Sequence, residues 1–250
     1  PKARAAAEKA LELDGTLAAA HSQIANIHWL FDWDFVAAER EFKKCFEVEP
    51  GAALGRTVYA LFLGCRGRKD EAVREALLSA KLDPLSSLIA AWAAGALHSV
   101  GAFAEASDIV RRAIAMDPGH WQLYFHSGLG YLQASMEKEA AAALEKAVDL
   151  SGGVSAAIGF LAAVYYLTGK SEEADRLVVR LHERAKQAYV APLLFAWLCV
   201  ARGEPKAALA HLERAIQERD SWLDFNAVMP PRIRVSGPEA EGLLRKAGLR

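Results

Sequence analysis

The 250-residue chain carries 30 Lys and Arg against 31 Asp and Glu, a net charge of −1, and 53% of it is hydrophobic. Balanced charge excludes a global attraction to nucleic acid or anionic membrane, and so much apolar mass excludes a disordered tail. Fifty residues, about one in five, are Ala, the strongest helix former, and only nine are Pro, so the chain is expected to be all helical.

The helical pattern begins at once. Ala3, Ala7 and Ala10 share one face, and residues 1–15 read as the second helix of a truncated repeat. With no initiator Met ahead of it, this opening is expected to belong to a longer protein. A fixed period then takes over. Ala38, Ala72, Ala106, Ala140, Ala174 and Ala208 are spaced by 34 residues, and Glu71, Glu105, Glu139 and Glu173 precede four of them. Cys45, Ser79, Ala113, Ala147, Leu181 and Ala215 repeat at the same step, as do Gly67, Gly101, Ser135, Gly169 and Gly203, and Pro50, Pro84, Pro118 and Gly152. Each Gly follows an apolar helical run and predicts a C-cap, where the backbone needs positive φ. Each Ala predicts a close crossing of two antiparallel helices, and each Pro ends the second helix. Six units of helix, turn, helix and turn follow, at about 16–50, 51–84, 85–118, 119–152, 153–186 and 187–220, with residues 221–250 as a cap.

A 34-residue helical hairpin with this spacing resembles the tetratricopeptide repeat family over nearly the whole chain. Gly128 and Tyr131, and Leu161, Ala162 and Tyr165, stand where the pattern has small and aromatic residues in the first helix. Ala38 with Phe42, Ala140 with Leu144 and Ala147, and Ala208 with Leu212 and Ala215 match it in the second. Lys186 and Asp220 replace the closing Pro in the last two units, which leaves the geometry near 181–191 open. Phe31-Asp32-Trp33-Asp34-Phe35, which replaces the Gly turn of the first unit and adds a residue, and the ending Pro238 to Leu249 look like the C-terminal arrays of multidomain bacterial signalling proteins. There the array follows a winged helix, a Ser/Thr kinase or a nucleotide cyclase. The resemblance implies an all-α right-handed superhelix with a C-terminal capping helix, acting in protein interaction.

Catalytic motifs are lacking. Neither GxxxxGK[ST] nor GxGxxG occurs, and no GxSxG, HExxH or paired-Cys pattern is present, so no enzyme activity, cofactor or metal is expected. His21 and His28 lie two turns apart, about 10 Å, too far to share an ion, and read as packing residues; Trp33 reads as a buried turn plug. Cys45 and Cys199 read as inert core thiols. Three cysteines without a framework suggest a reducing, cytoplasmic setting, and the most apolar stretches, 154–167 and 189–201, are too short to span a membrane.

Function is therefore sought on the concave face, which first helices line in such arrays. Register projection places there Asn26, Trp29, Thr57, Leu61, His98, Gln122, Phe125, Leu129, Leu132, Tyr166, Leu193 and Trp197. Almost none is charged, and only Asn26 offers the donor that capture of a peptide carboxylate requires. The expected partner is a protein or peptide, an apolar or amphipathic helix laid into the groove. Alternatives are self-burial of the groove, a homodimer, a bound lipid or apolar molecule, and regulation of an attached domain. Beyond Ser221 the period fails; Trp222, Leu223, Phe225, Leu243 and Leu244 are expected to cover the last repeat. Arg232, Arg234, Arg245, Lys246 and Arg250 are expected on a solvated surface rather than in a nucleic-acid site.

Overall fold

A computed structural model describes residues 2–249, so Pro1 and Arg250 lie outside the described residues. Helix α1 (Lys2–Leu13) packs on α2 (Ala18–Ile27), and six hairpins follow. The first pairs α2, extended by a π turn at His28–Asp32, with α3 (Phe35–Val48). The others pair α4 (Ala53–Cys65) with α5 (Lys69–Leu82), α6 (Ser87–Ser99) with α7 (Phe103–Met116), α8 (Trp121–Gln133) with α9 (Glu137–Leu150), α10 (Ser155–Leu167) with α11 (Ser171–Ala185), and α12 (Pro192–Arg202) with α13 (Pro205–Gln217). A 3₁₀ turn at Leu223–Val228 and a last helix, α14 (Pro238–Lys246), complete an all-α solenoid with no strand among the described residues.

The small-residue registers sit at the helix crossings. All six alanines from Ala38 to Ala208 are 0% exposed, and the second register from Cys45 to Ala215 is at most 1% exposed. In the Ala38 series a larger side chain would spread the hairpin, which is why Ala recurs there, while the second register admits Leu181 in the fifth unit. The four register glycines cap α4, α6, α10 and α12 with φ of +73° to +87°, and Ser135 takes the same left-handed conformation at φ +58°. In the first unit the extra residue is absorbed by the π turn, which holds one more residue per turn than an α-helix. Trp33 ends it at φ +58° and is half-buried under the Arg219 guanidinium, 5.0 Å from the ring, rather than fully buried as a plug. Near 181–191 the missing Pro lets α11 run to Ala185, and Pro192 then starts α12.

His21 meets Glu41 at 2.8 Å and His28 meets Asp32 at 2.8 Å. Among the described residues no cluster of metal-ligating side chains occurs, and no helix is long and apolar enough to cross a membrane. All three thiols are unpaired; burial pushes Cys45 up to about 11 and Cys65 up to about 12, and raises Cys199 as well.

Helices α6 and α8 interlock through histidines. His126 lies over Gly95 and His98 over Gly130, so that a Cβ on either glycine would stand inside the facing imidazole. Burial holds both rings neutral, pushing His98 down to about 4 and His126 to about 3. The unfolded chain therefore binds protons near pH 6.5 that the folded chain refuses. Stability from this crossing is complete above about pH 6.5 and is lost as pH falls toward 4, by about 2 kcal/mol per histidine at pH 5. Urea unfolding at pH 7 and pH 5 should show this drop, and a His98→Gln, His126→Gln double variant, though less stable at pH 7, should lose most of the pH dependence. Equal slopes for both proteins would contradict it.

Candidate interaction site

The first helices of the hairpins are rich in apolar residues, most of all Ser155–Leu167 and Pro192–Arg202. Its second helix covers only one side, so the other needs a different cover. The chain supplies it. From Arg219 to Val235 the backbone leaves the repeat pattern, returns into the array and touches the first helices of hairpins 1, 2, 4, 5 and 6. We call this segment the strap.

The strap is held at both ends of the array and in the middle. Arg219 donates to the Phe31 carbonyl at 2.7 Å, joining the end of the last hairpin to the first. Trp222 packs against both Phe160 and Trp197, with centroids 6.2 and 5.8 Å away, while those two rings touch each other at 5.4 Å. The Trp29 indole donates to Asp224 at 2.7 Å, and the Arg66 guanidinium pairs with the other oxygen of that carboxylate. Arg66 also lies 4.0 Å from the Phe35 ring, and Phe225 sits 5.4 Å from Trp29. The Trp197 indole donates to Asn226 Oδ1 at 2.9 Å; the Asn226 amide donates to the Val235 carbonyl at 2.9 Å, and the Val235 N–H returns to Oδ1 at 3.1 Å. Gln133 donates to the Val228 carbonyl at 3.1 Å, and Arg232 pairs with Glu137. Leu223, Met229, Ile233 and Val235 are buried along the same path. Asp220 opens the strap: its carboxylate accepts from the Leu193 and Trp222 N–H groups at 3.0 and 2.9 Å, and burial raises its pKa despite them.

The positions projected onto the concave face divide accordingly. Trp29, Thr57, Leu61, His98, Phe125, Leu132, Leu193 and Trp197 are buried, while Asn26, Gln122, Leu129 and Tyr166 stay half-buried. Trp29 and Trp197 meet the strap directly. Thr57 bonds back to Ala53 at 3.0 Å within its own helix. His98 instead faces Gly130 and Phe103, and Tyr166 turns to Asp175, 2.6 Å away, beneath Arg202. The projection missed Arg66, at the C-cap of α4, Gln133, the last residue of α8 and one four-residue step beyond Leu129, and Glu137, which opens the second helix α9; it also missed the strap's Asp224 and Asn226. The nearly uncharged groove expected from the sequence thus contains an ion pair between a buried carboxylate and a half-buried guanidinium. Of the residues expected over the last repeat, Trp222 meets Trp197 of the last hairpin but also Phe160 of the one before, Phe225 reaches Trp29 of the first, and Leu244 is buried on α14 with Ala240, beside α13. Within the expected basic surface, Arg232 and Arg234 are engaged by Glu137 and the Ala227 carbonyl; Arg250 lies outside the described residues.

No family model matches the sequence, and no curated protein does. Solved structures do. Cut9, in a crystal structure of the APC/C hetero-tetramer Cut9–Hcn1, aligns over 98% of this chain and 46% of its own, with a TM-score of 0.63 and 15% identity. PilW, a type IV pilus biogenesis factor, aligns over 80% and 92%, at 0.57 and 20%. A tetratricopeptide repeat protein from Parabacteroides merdae aligns over 91% and 92%, at 0.52 and 18%. The chain has the tetratricopeptide-repeat fold. In this repeat array the six hairpins form a shell around a polar-anchored segment of the same chain.

Removing one partner of an ion pair whose carboxylate is buried costs more than removing both. Asp224→Leu should lower the unfolding free energy by about 2 kcal/mol, and adding Arg66→Leu should cost less than the sum of the two single changes, the Trp29 indole being left without an acceptor in both. Purely additive losses in urea unfolding would contradict the pairing.

Proposed function

We propose that the chain is a non-catalytic protein-interaction scaffold, the sensory or regulatory C-terminal part of a larger bacterial signalling protein in the cytoplasm. One observation carries this reading: the inner helices already hold a non-repeat segment through indole, guanidinium and amide donors, as a peptide-binding surface does. The fold supports it, since stacked hairpins present an extended inner surface suited to peptides and helices. Asn26, Gln122 and Leu129, half-buried, are the projected positions left for a partner at the rim, while Trp29, Trp197 and Leu193 act through the strap.

The strap also favours a second reading, regulation within the same protein. It ties the first hairpin to the last through Arg219 and Phe31, so whatever moves one end strains the other.

A variant with Gln122→Arg and Leu129→Arg tests the scaffold reading. Its circular dichroism should match wild type, while quantitative mass spectrometry of co-purifying proteins should show at least one wild-type partner depleted about tenfold. An unchanged partner set would contradict a concave binding surface.

A further inference from the structure

We infer that the concave channel recognises a specific peptide chemistry, a carboxylate followed directly by an aromatic and then an amide side chain, and that the strap is its resident occupant. The inference rests on the scaffold reading and names the class of partner segment. A partner enters by displacing Asp224-Phe225-Asn226 with side chains of the same kind.

The donors define the specificity. Two of them, the Trp29 indole and the Arg66 guanidinium, converge on the two oxygens of one carboxylate, so that position takes Asp or Glu and rejects a neutral side chain. The next position lies against the Trp29 ring, within aromatic contact distance. The third must accept from the Trp197 indole and also turn the backbone, as Asn226 does through its two bonds to Val235; an amide serves both, and a carboxylate would lack the donor for the Val235 carbonyl. Ahead of these, an aromatic side chain packs against the contacting pair Phe160 and Trp197. Gln133 then reads backbone, since it donates to a carbonyl.

Several features suit the strap to exchange. It has no α-helix of its own across 219–235, and its central turn is held by side-chain bonds to distant helices rather than by a repeat interface. A purely structural filler would be more stable if apolar, because two charges taken from water recover little net energy. The polar set fixes which residues sit where, which is what recognition requires.

The test uses the full chain and a fluorescent synthetic peptide of residues 219–236. A strap variant, Asp224→Ala with Asn226→Ala, should bind this peptide at least tenfold more tightly than wild type does, and a peptide carrying the same two alanines should bind at least tenfold more weakly. Asn226→Ala alone, a milder change, should give an intermediate affinity for the unaltered peptide. Equal affinity for the two peptides overturns the inference, as does absence of binding to variants whose strap amides have lost hydrogen-exchange protection. Dimers in mass photometry that the peptide fails to dissociate would place a second copy in the channel and also overturn it. Peptide recognition with an unchanged cellular partner set would uphold this inference and remove the scaffold reading on which it builds, so the two failures are distinct.

Discussion

The inner helices carry large apolar side chains that their own hairpins leave bare, and everything else in the structure follows from covering that surface. A stack of 34-residue hairpins solves packing between neighbours through small residues at fixed crossings, with Ala38, Ala72 and their successors fully buried. On the inner side Trp29, Phe160 and Trp197 touch rings of neighbouring hairpins, but the stack alone does not close over them. Leaving such rings in water would forfeit about 2–3 kcal/mol each. Residues 219–235 cover them, and in doing so join the first hairpin to the last.

How the strap covers them decides what the array can do. Its contacts combine the buried Leu223, Met229, Ile233 and Val235 with packed rings and directional hydrogen bonds. Asp224 between Trp29 and Arg66, and Asn226 between Trp197 and Val235, each satisfy every bond they are drawn into, and a slip by one residue would strand a carboxylate beside an indole ring. Buried polar groups of this kind contribute little net stability but pin one register among many. The array is therefore a shell whose interior reads side chains, occupied by its own tail.

The shell was legible in the sequence because each of its parts is local and repeated. Ala106 and Gly101 carry the same information as Ala72 and Gly67, so a single period reveals hairpins, caps and crossings together. The π turn at His28–Asp32 was visible as an extra residue in the first unit, though not as a π turn. The strap was not legible, because nothing in it repeats and its partners are remote: Trp29 and Asp224 stand 195 residues apart. Arg66 escaped for a related reason. It sits at the C-cap of α4, one residue before the register glycine, where helical projection assigns no face. His98 was placed on the inner face by spacing alone, but Gly130 opens a space on the neighbouring helix that its ring fills.

The central claim, that the channel is filled by the chain's own strap through two indole hydrogen bonds, is tested most directly by the exchange rates of the tryptophan indole protons in solution. Trp29 and Trp197 should give N–H signals that exchange with deuterium far more slowly than the half-buried Trp121, and Asp224→Ala should release Trp29 much more than Trp197. Exchange of both indoles as fast as Trp121 in the wild-type chain would show an open channel and contradict the account.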